Sequence, residues 1–475
     1  MRTISKALSA SVLALAAAGC QLTPPPTALD KPGDVPTTFT APVVDKNAPI
    51  WPAADWWTNF SAPELPGLMD TAMKENLDLK VAINRVLEAE ANSTIAFSAL
   101  LPGVNGSLGA KKNGTNSTDF DTFNAGLSGN YVLDFFGANR ARLRQADENL
   151  RGARYSQANT GLTIEQSVAN TYFTILAIRE RIAITRQNLD LSRRLLAISQ
   201  AKFAAGVSSN LDVMQETATV AGQQAQLPGL IEQEREARYT MAILLGLPPE
   251  NFDIKAQNLD GISAPTIQPG TPSDLLLRRP DIALAEANLY ASHANVDAAR
   301  AAFFPQIGVS AGVTWGSGTI GSLFDPASLA WNVGASLAQT IFDGGAINAR
   351  SQIAKLQQEE QIATYRKTVF SAFQAVETSV GTADAITQQI DFIEQQVHAS
   401  VEAERISELQ YREGTIDITT LINTQSTLFS AQISLVNTKL ARLQNSINLY
   451  IALGGGWDQK TADAGYKPSL DWFPL

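Results

Sequence analysis

The chain has 475 residues, 17% of them charged, and its formal net charge is −10. This acidic balance excludes a general nucleic-acid binder, which needs a basic face. The sequence contains no GxxxxGKS/T, no HExxH and no CxxC, so the common phosphate-cradling and zinc-binding motifs are excluded as well.

The first twenty residues predict an exported protein. Arg2 and Lys6 precede an apolar stretch of 13 residues, Ala7 to Gly19, which is too short to span a bilayer as a helix. Residues 1–19 are therefore predicted to be a signal peptide. The only cysteine, Cys20, directly follows Ala-Ala-Gly and resembles the lipidated cysteine of a bacterial lipobox; a chance cysteine after an ordinary signal peptide is the alternative. Residues 20–50, rich in Pro, Thr and Asp, then read as a lipidated, extended tether.

The body of the chain is an internal duplication. Residues 78–109 align without gaps on residues 281–312, an offset of 281 − 78 = 203. The stretch "FAAGVSSNLDV" at 203–213 matches "YREGTIDITTL" at 411–421, an offset of 411 − 203 = 208. We place the first repeat at 51–265, the second at 266–457 and a C-terminal tail at 458–475.

Each repeat contains a helix, two alternating stretches and a long helical hairpin. The helices end at Pro102 and Pro305. The alternating stretches, at 104–110, 124–135, 307–315 and 331–342, have the period of half-exposed strands and the length that spans a membrane. The candidate membrane-interface aromatics, for which scattered core positions are the alternative, are Tyr131, Phe135, Phe136, Trp315, Trp331 and Phe342.

The helical segments after these strands are unusually long. From Arg140 to Gly206 the chain lacks proline, and a continuous helix there would measure about 100 Å. Apolar residues recur every seven positions, which predicts coiled-coil packing; they are Val168, Ile175, Ile182, Leu189, Leu196 and Phe203. A second apolar row, Ile178, Ile184, Leu191 and Ile198, widens the stripe and favours a curved wall of helices, with a two-stranded stalk as the alternative. Gly206 and Gly414 are predicted to cap the long helices, after which the chain turns back.

Several motifs in consistent order resemble the outer-membrane efflux channel family, the TolC-like factors, and within it the lipoprotein branch. They are "DWWTNFSAPELPGLMDTAMKENLDL" at 55–79, "YVLDFFG" at 131–137, "FAAGVSSNLDV" at 203–213, "LLLRRPDIALAEANL" at 275–289, "AAFFPQIGVSAG" at 301–312, "IFDGG" at 341–345, "YREG" at 411–414 and "ALGGGW" at 452–457. The resemblance covers nearly the whole chain from Cys20 to Trp457.

The resemblance implies an α+β membrane protein in which long helical hairpins form a periplasmic α-barrel. Each chain would add four strands to a 12-stranded transmembrane β-barrel closed by a homotrimer. The implied location is the outer membrane of a Gram-negative bacterium, with a covalent lipid (palmitate) on Cys20 and no other cofactor. The implied function is a passive, gated exit duct for drugs or other small toxic molecules, driven by an inner-membrane pump through a periplasmic adaptor (membrane fusion protein). The alternatives are an exit channel for protein secretion and a pore-less coiled-coil lipoprotein scaffold.

The residues that form the family's gate are only partly matched in this chain. The family commonly has aspartates just beyond the second corner's glycine, where this chain has Thr420 and Asn423. Asp212 aligns with Thr420 in the other repeat, and Asp417 lies in the second corner, so either would supply three carboxylates to a trimeric ring. The alternative is ordinary: Asp212 favours a helix dipole, and Asp417 is a solvated loop residue.

An enzyme is the main competing class for an exported chain of this size. The two histidines, His293 and His398, lie on predicted helices without a nucleophile elbow or metal-ligand cluster beside them. We therefore expect no catalytic residue and no metal site.

Overall fold

A computed structural model describes residues 35–40, 49–114, 119–250 and 252–463. The predicted signal peptide, Cys20 and most of the predicted tether lie outside the described residues, as does the tail from residue 464. Among the described residues, no helix combines the length and the apolar character needed to cross a membrane.

The two repeats have the same elements in the same order. A short helix α1 (Leu65–Glu75) precedes them. The first repeat contains α2 (Leu77–Ser98), β1 (Gly103–Gly114), β2 (Asp119–Leu133), α3 (Ala138–Ala204) and α4 (Asn210–Leu244). The second contains α5 (Pro280–Ala301), β3 (Gln306–Ser317), β4 (Leu329–Ala338), α6 (Ala346–Glu413) and α7 (Ile418–Ala452). The first residues of α2 and α5 differ by 203 and those of α4 and α7 by 208, so the duplication predicted from sequence is confirmed.

The long helices are continuous. α3 has 67 residues and α6 has 68, so each is on the order of 100 Å long. Each begins after a glycine in the left-handed conformation, Gly137 at φ 75° and Gly345 at φ 91°. The proline-free runs of the sequence are therefore single helices, as predicted.

The main hydrophobic core lies at the middle of the long helices rather than at either end. α3 packs against α2, α4, α5 and α7, and α6 packs against α5 and α7. Large side chains from the loop before α1 fill the space between them: Trp56 and Phe60 are fully buried and contact Tyr450 and Phe173. Burial of an aromatic side chain of this size stabilises the fold by about 2–3 kcal/mol.

The seven-residue stripe on α3 is confirmed over most of its length, and wrong at its end. Val168, Ile175, Ile182 and Leu189 are buried, but Leu196 is half-buried and Phe203 is 47% exposed. The second row is partly confirmed: Ile178 is buried, while Ile184, Leu191 and Ile198 are half-buried and pack against buried clusters. The sequence analysis missed the buried polar residues beside the stripe, Thr185, Ser192 and Ser199. Small hydroxylic side chains let neighbouring helices approach closely, and the apolar rule overlooks them.

The four strands form one antiparallel sheet in the order β1-β2-β3-β4. The pairing of β2 with β3, for example Leu127 with Val313, joins the two repeats. β2 ends at Leu133 and β4 at Ala338, so the strands predicted to reach Phe135 and Phe342 are shorter than expected. Both aromatics lie in the turns that lead into the long helices. The α+β class with duplicated helical hairpins and a small sheet is confirmed.

The return helices end at two equivalent glycines that touch backbone. An added Cβ at Gly246 would lie 2.3 Å from the carbonyl oxygen of Glu75, and at Gly454 it would lie 1.8 Å from that of Arg278. Both glycines also have positive φ, 69° and 95°. Arg279, next to this contact, donates to Asp281 and to the carbonyl of Ala452 at 2.8 Å, so it joins the start of α5 to the end of α7.

Candidate functional site

The two helical corners have the same backbone geometry. Gly206 and Gly414 have φ of 73° and 78°, the left-handed region that favours glycine. Val207 N donates to Lys202 O at 3.0 Å, and the equivalent Thr415 N donates to Gln410 O at 2.9 Å. This pattern is a Schellman C-cap, which satisfies the last carbonyls of a helix and turns the chain.

The returning helices begin with mirrored caps. In the first corner Ser209 is the N-cap, its hydroxyl donates to Asp212 at 2.8 Å, and the two residues form a capping box. In the second corner Asp417 is the N-cap and accepts from Thr420 N at 2.7 Å. Each corner thus has one carboxylate and one hydroxyl, at exchanged positions. Capping of this kind stabilises a helix start by about 1 kcal/mol.

The corner carboxylates differ in surroundings. Hydrogen bonds from the side chain and backbone of Thr420 lower the pKa of Asp417, which is fully exposed, so it stays ionised at neutral pH. Asp212 is half-buried and held by Ser209. Thr420 is exposed, as is Asn423 one turn further along α7. The structure brings each carboxylate to a capping role within its own corner; their predicted part in a gate stays a prediction.

A lysine and a tyrosine join the two corners. Lys202, near the end of α3, donates to the carbonyl of Tyr411 at 2.6 Å, and its ammonium lies 4.1 Å from the centre of the Tyr411 ring. A cation over an aromatic face adds about 1–2 kcal/mol when it is partly desolvated. The contact therefore fastens the end of α3 to the end of α6.

A small apolar cluster lies behind this contact. Its buried members are Leu195, Tyr411, Ile418 and Leu421, and it is separate from the main core. Four residues bury far less area than the main core does, so the corners are held by weaker packing than the middle of the helices.

Glu216 lies on the buried face of α4, and it was not predicted from the sequence. It is fully buried, between buried Val213 and Val220. The spacing 213, 216, 220 is that of an inward helix face, so the position was readable from sequence. A charged residue at such a position is normally assigned to the surface, which is why it was overlooked.

The sheet has one apolar and one polar face. The register places Val104, Leu127, Val313, Trp331 and Val333 on one face. The other face contains Asn105, Ser128, Asn130, Ser310, Thr314 and Asn332. Trp331 and Val333 are 75% and 70% exposed in the single chain. Large apolar side chains exposed together on one face of a sheet mark an interaction with lipid or protein.

The predicted interface aromatics fall into two groups. Tyr131, Trp315 and Trp331 lie on strands and on the apolar face. Trp315 pairs with Ala125, which lies six residues before Tyr131 on β2. Trp315 and Tyr131 are therefore separated by about 20 Å along the strand direction. Phe135, Phe136 and Phe342 lie beyond the strand ends, and Phe136 stacks on Phe304 with ring centres 4.6 Å apart. The aromatics thus occupy two levels along the sheet; their contact with a membrane interface stays a prediction.

Of the two histidines, His293 makes a described contact between two helices. Nδ1 of His293 lies 3.1 Å from the side-chain amide of Gln358, a contact that links α5 to α6. Within the described ranges, no group of three or more His, Cys, Asp or Glu side chains could hold a metal ion.

The sequence pattern of the family described as "Outer membrane efflux protein" matches residues 68–247 and 271–455. The pyoverdine export outer membrane protein OpmQ of Pseudomonas aeruginosa is 39% identical over 415 residues, 85% of this chain and 87% of that protein. The probable efflux pump outer membrane protein TtgC of Pseudomonas putida is 30% identical over 428 residues, 88% of each chain.

The fold has solved counterparts. The open-state structure of the Neisseria gonorrhoeae MtrE outer membrane channel superposes with a TM-score of 0.80 at 26% identity, covering 92% of this chain and 98% of that one. Members of the family are channels rather than enzymes. The duplicated helical hairpins, the two-faced sheet and the relatives all indicate an efflux channel of the outer membrane. The chain belongs to the outer membrane efflux protein family.

Proposed function

We propose that the chain is the outer-membrane exit duct of a tripartite efflux pump. Three copies assemble side by side, and an inner-membrane pump drives transport through a periplasmic adaptor. The observation that carries the proposal is the two-faced sheet continuous with two long helical hairpins. An apolar face suits lipid and a polar Asn/Ser/Thr face suits water, so the sheet fits the wall of an aqueous passage.

The sheet edges support side-by-side assembly of the copies. β1 and β4 each pair on one side only, so both edges present free backbone groups. Such edges cannot stay unpaired in lipid, since each unsatisfied group costs several kcal/mol there. Pairing β4 of one copy with β1 of the next satisfies both edges.

The cargo in this proposal is a small molecule. The relative at 39% identity exports pyoverdine, and the relative at 30% identity is an efflux pump component. Both names favour small molecules over secreted polypeptides. The duct itself is passive, and its cargo is selected by the pump.

A covalent lipid on Cys20 completes the proposal. Cys20 is the single cysteine and follows the predicted signal peptide. One acyl chain gives only marginal membrane binding, so two or more chains are needed for stable anchoring. Replacing Cys20 by Ser should remove labelling by radioactive palmitate; unchanged labelling would refute the anchor while leaving the duct untouched.

The test of the duct is accumulation of a fluorescent pump substrate. Cells lacking the protein should accumulate more dye than the parent strain, and restoring the gene should reverse the difference. Variant Trp331→Asp, which places a charge on the apolar face, should fail to restore export because it fails to reach the membrane. Arg193→Ala, an exposed substitution on α3 far from the sheet, is the control and should restore export fully. Equal accumulation with and without the protein would contradict the proposal.

A further inference from the structure

Glu216 is an ionisable group buried where the two hairpins meet. It lies on α4, four residues beyond Asp212, and none of its surface is exposed to solvent. Neither of its carboxylate oxygens has a hydrogen-bond partner among the described residues. A buried carboxylate is normally paired or hydrogen-bonded, because its charge is costly to remove from water.

Other polar side chains lie in the same corner. The Tyr411 hydroxyl on α6 interacts with the Ser199 hydroxyl on α3, and Gln425 on α7 interacts with the carboxylate of Glu404 on α6. Burial raises the pKa of the Tyr411 hydroxyl, and the carboxylates of Asp212 and Glu216 raise it further, so both face this ring. The corner therefore contains interacting polar side chains beside Glu216, whose own carboxylate has no hydrogen-bond partner among the described residues.

Among the described residues, no basic group donates a hydrogen bond to Glu216. On α3 the nearest cation along the chain, Lys202, is bonded to the Tyr411 carbonyl. α7 has no charged residue from Ile418 to Thr438, and α4 has none from residue 217 to residue 231. The other charged or titratable groups on these segments are Arg193 and Arg194 on α3, Glu402, Glu404, Arg405, Glu408, Tyr411, Arg412 and Glu413 on α6, Asp212 on α4, and Asp417 at the start of α7. Arg405 pairs with Glu402 and Arg412 with Glu408, so these two cations have acidic partners of their own. Burial alone raises the pKa of Glu216 to about 7.

We propose that Glu216 is a gating residue of the corner: when neutral it lets α4 pack against the ends of α3 and α6, and when ionised it drives α4 outward to water. The inference rests on the proposed function, since it assumes that the corners form the end of the duct that opens. The weak packing of the corner cluster makes this the place where one buried charge decides between two arrangements.

The direction of the pH effect follows from the two protonation states. In the open arrangement Glu216 is solvated and titrates near its ordinary value, whereas in the closed arrangement its pKa is about 7. The closed corner therefore binds the proton more tightly. The preference for the closed arrangement is therefore greatest below about pH 4.5 and is lost as the pH rises to about 7. Over this range the ratio of closed to open molecules falls by at most about tenfold per pH unit.

The test is the distance between the two corners of one chain. Spin labels are placed at Val207→Cys and Thr415→Cys, both exposed positions, in the full-length protein in lipid, and pulsed electron resonance gives the distance distribution. Between pH 5 and pH 8 the parent should shift from a short to a long population. Protein without the added cysteines measures any background from Cys20.

Two variants and one control separate titration from structure. Glu216→Gln keeps the shape without the charge, and Glu216→Leu removes the polar atoms; both should hold the short distance at every pH. Glu165→Gln is the matched control, because Glu165 is also buried with a pKa raised by burial to about 7, but it lies in the main core beside Trp56. This control should shift with pH as the parent does.

The inference is overturned if the parent keeps one distance across this range, or if Glu216→Gln shifts as the parent does. Its failure is distinct from failure of the proposed function. The distance measurement needs no export, and the dye experiment needs no pH change.

Discussion

The two ends of each helical hairpin differ in how tightly the chain is held. At the end away from the corners, which we call the inner end, the return helices finish at Gly246 and Gly454. These glycines lie against the backbone of Glu75 and Arg278, beside a core of large aromatic residues. At the corners, Gly206 and Gly414 have nothing within 4 Å of an added Cβ, and a four-residue cluster supports the packing. One end is held by close backbone contacts and a large core, and the other by a small cluster, so the proposed gate would open at the corners. The predictions below compare these two ends.

The largest effect is expected from Gly454→Ala. Its Cβ would overlap the Arg278 carbonyl in a backbone conformation that disfavours side chains. We expect a loss of about 3–5 kcal/mol in the free energy of unfolding, the sum of overpacking and left-handed strain. Thermal unfolding of the purified protein measures it; a change below that of Gly206→Ala would contradict a fixed inner end.

The second effect concerns a buried ion pair near the core. Arg179 donates to Glu234 at 2.8 Å and to the carbonyls of Ile254 and Ala256, which ties α3 to α4 and to the segment after it. Arg179→Met leaves Glu234 with Arg238 as its partner and should cost about 3 kcal/mol. The exposed pair of Arg193 with Asp190 is the control, and Arg193→Met should cost less than about 1 kcal/mol. Similar melting temperatures for the two variants would count against this account.

The third effect is a pH dependence of the core. Burial raises the pKa of Glu165 to about 7, although Trp56 donates to it at 3.3 Å. The folded state therefore holds a proton that the unfolded state releases near pH 4.5. The contribution of Glu165 to stability should be complete below about pH 4.5 and fall by at most about 3 kcal/mol as the pH rises to about 7. Glu165→Gln should flatten the melting temperature over this range, and an unaltered profile in the variant would assign the effect to other groups.

The smallest effect belongs to the corner. Gly206→Ala meets no atom, so only the left-handed backbone opposes it, at about 1–2 kcal/mol. Because the corner opens locally, we expect little change in the global melting temperature and faster hydrogen exchange of amides around Asn210. Slower exchange there, or a global loss as large as that of Gly454→Ala, would remove the contrast between the two ends.

The sequence predicted the large elements because long-range repetition and proline spacing are unambiguous. The offsets of 203 and 208 reappear in the first residues of α2 and α5 and of α4 and α7. Strand ends were less accurate: apolar alternation continues past Ala338 toward Phe342, although the pairing stops. Periodicity in the sequence indicates which face of a strand a side chain lies on. Where the strand ends depends on where the neighbouring strand stops pairing with it.

The corners show a second limit. The glycines and the turn were predicted, because left-handed caps have a clear signal in Gly206 and Gly414. The alternatives to a gate were a helix-dipole role for Asp212 and a solvated loop position for Asp417. The structure adds a capping box at Asp212 and an N-cap at Asp417, and the part of either residue in a gate stays a prediction. Burial of Ser199 and Glu216 was not predicted. The spacing of Glu216 with Val213 and Val220 indicated an inward helix face, but a charged residue is normally assigned to the surface. Burial of the small polar Ser199 depends on how the helix ends meet, which the apolar pattern of one helix does not contain.

The most direct test of the central claim is to join the corners during export. Cysteines at Val207 and Thr415 in a working duct are linked between neighbouring corners by a flexible bismaleimide, and dye efflux is measured before and after linkage. Efflux should stop in the linked double variant and continue in either single variant, with assembly unchanged in all three. Full efflux through completely linked trimers would contradict a duct that opens at its corners.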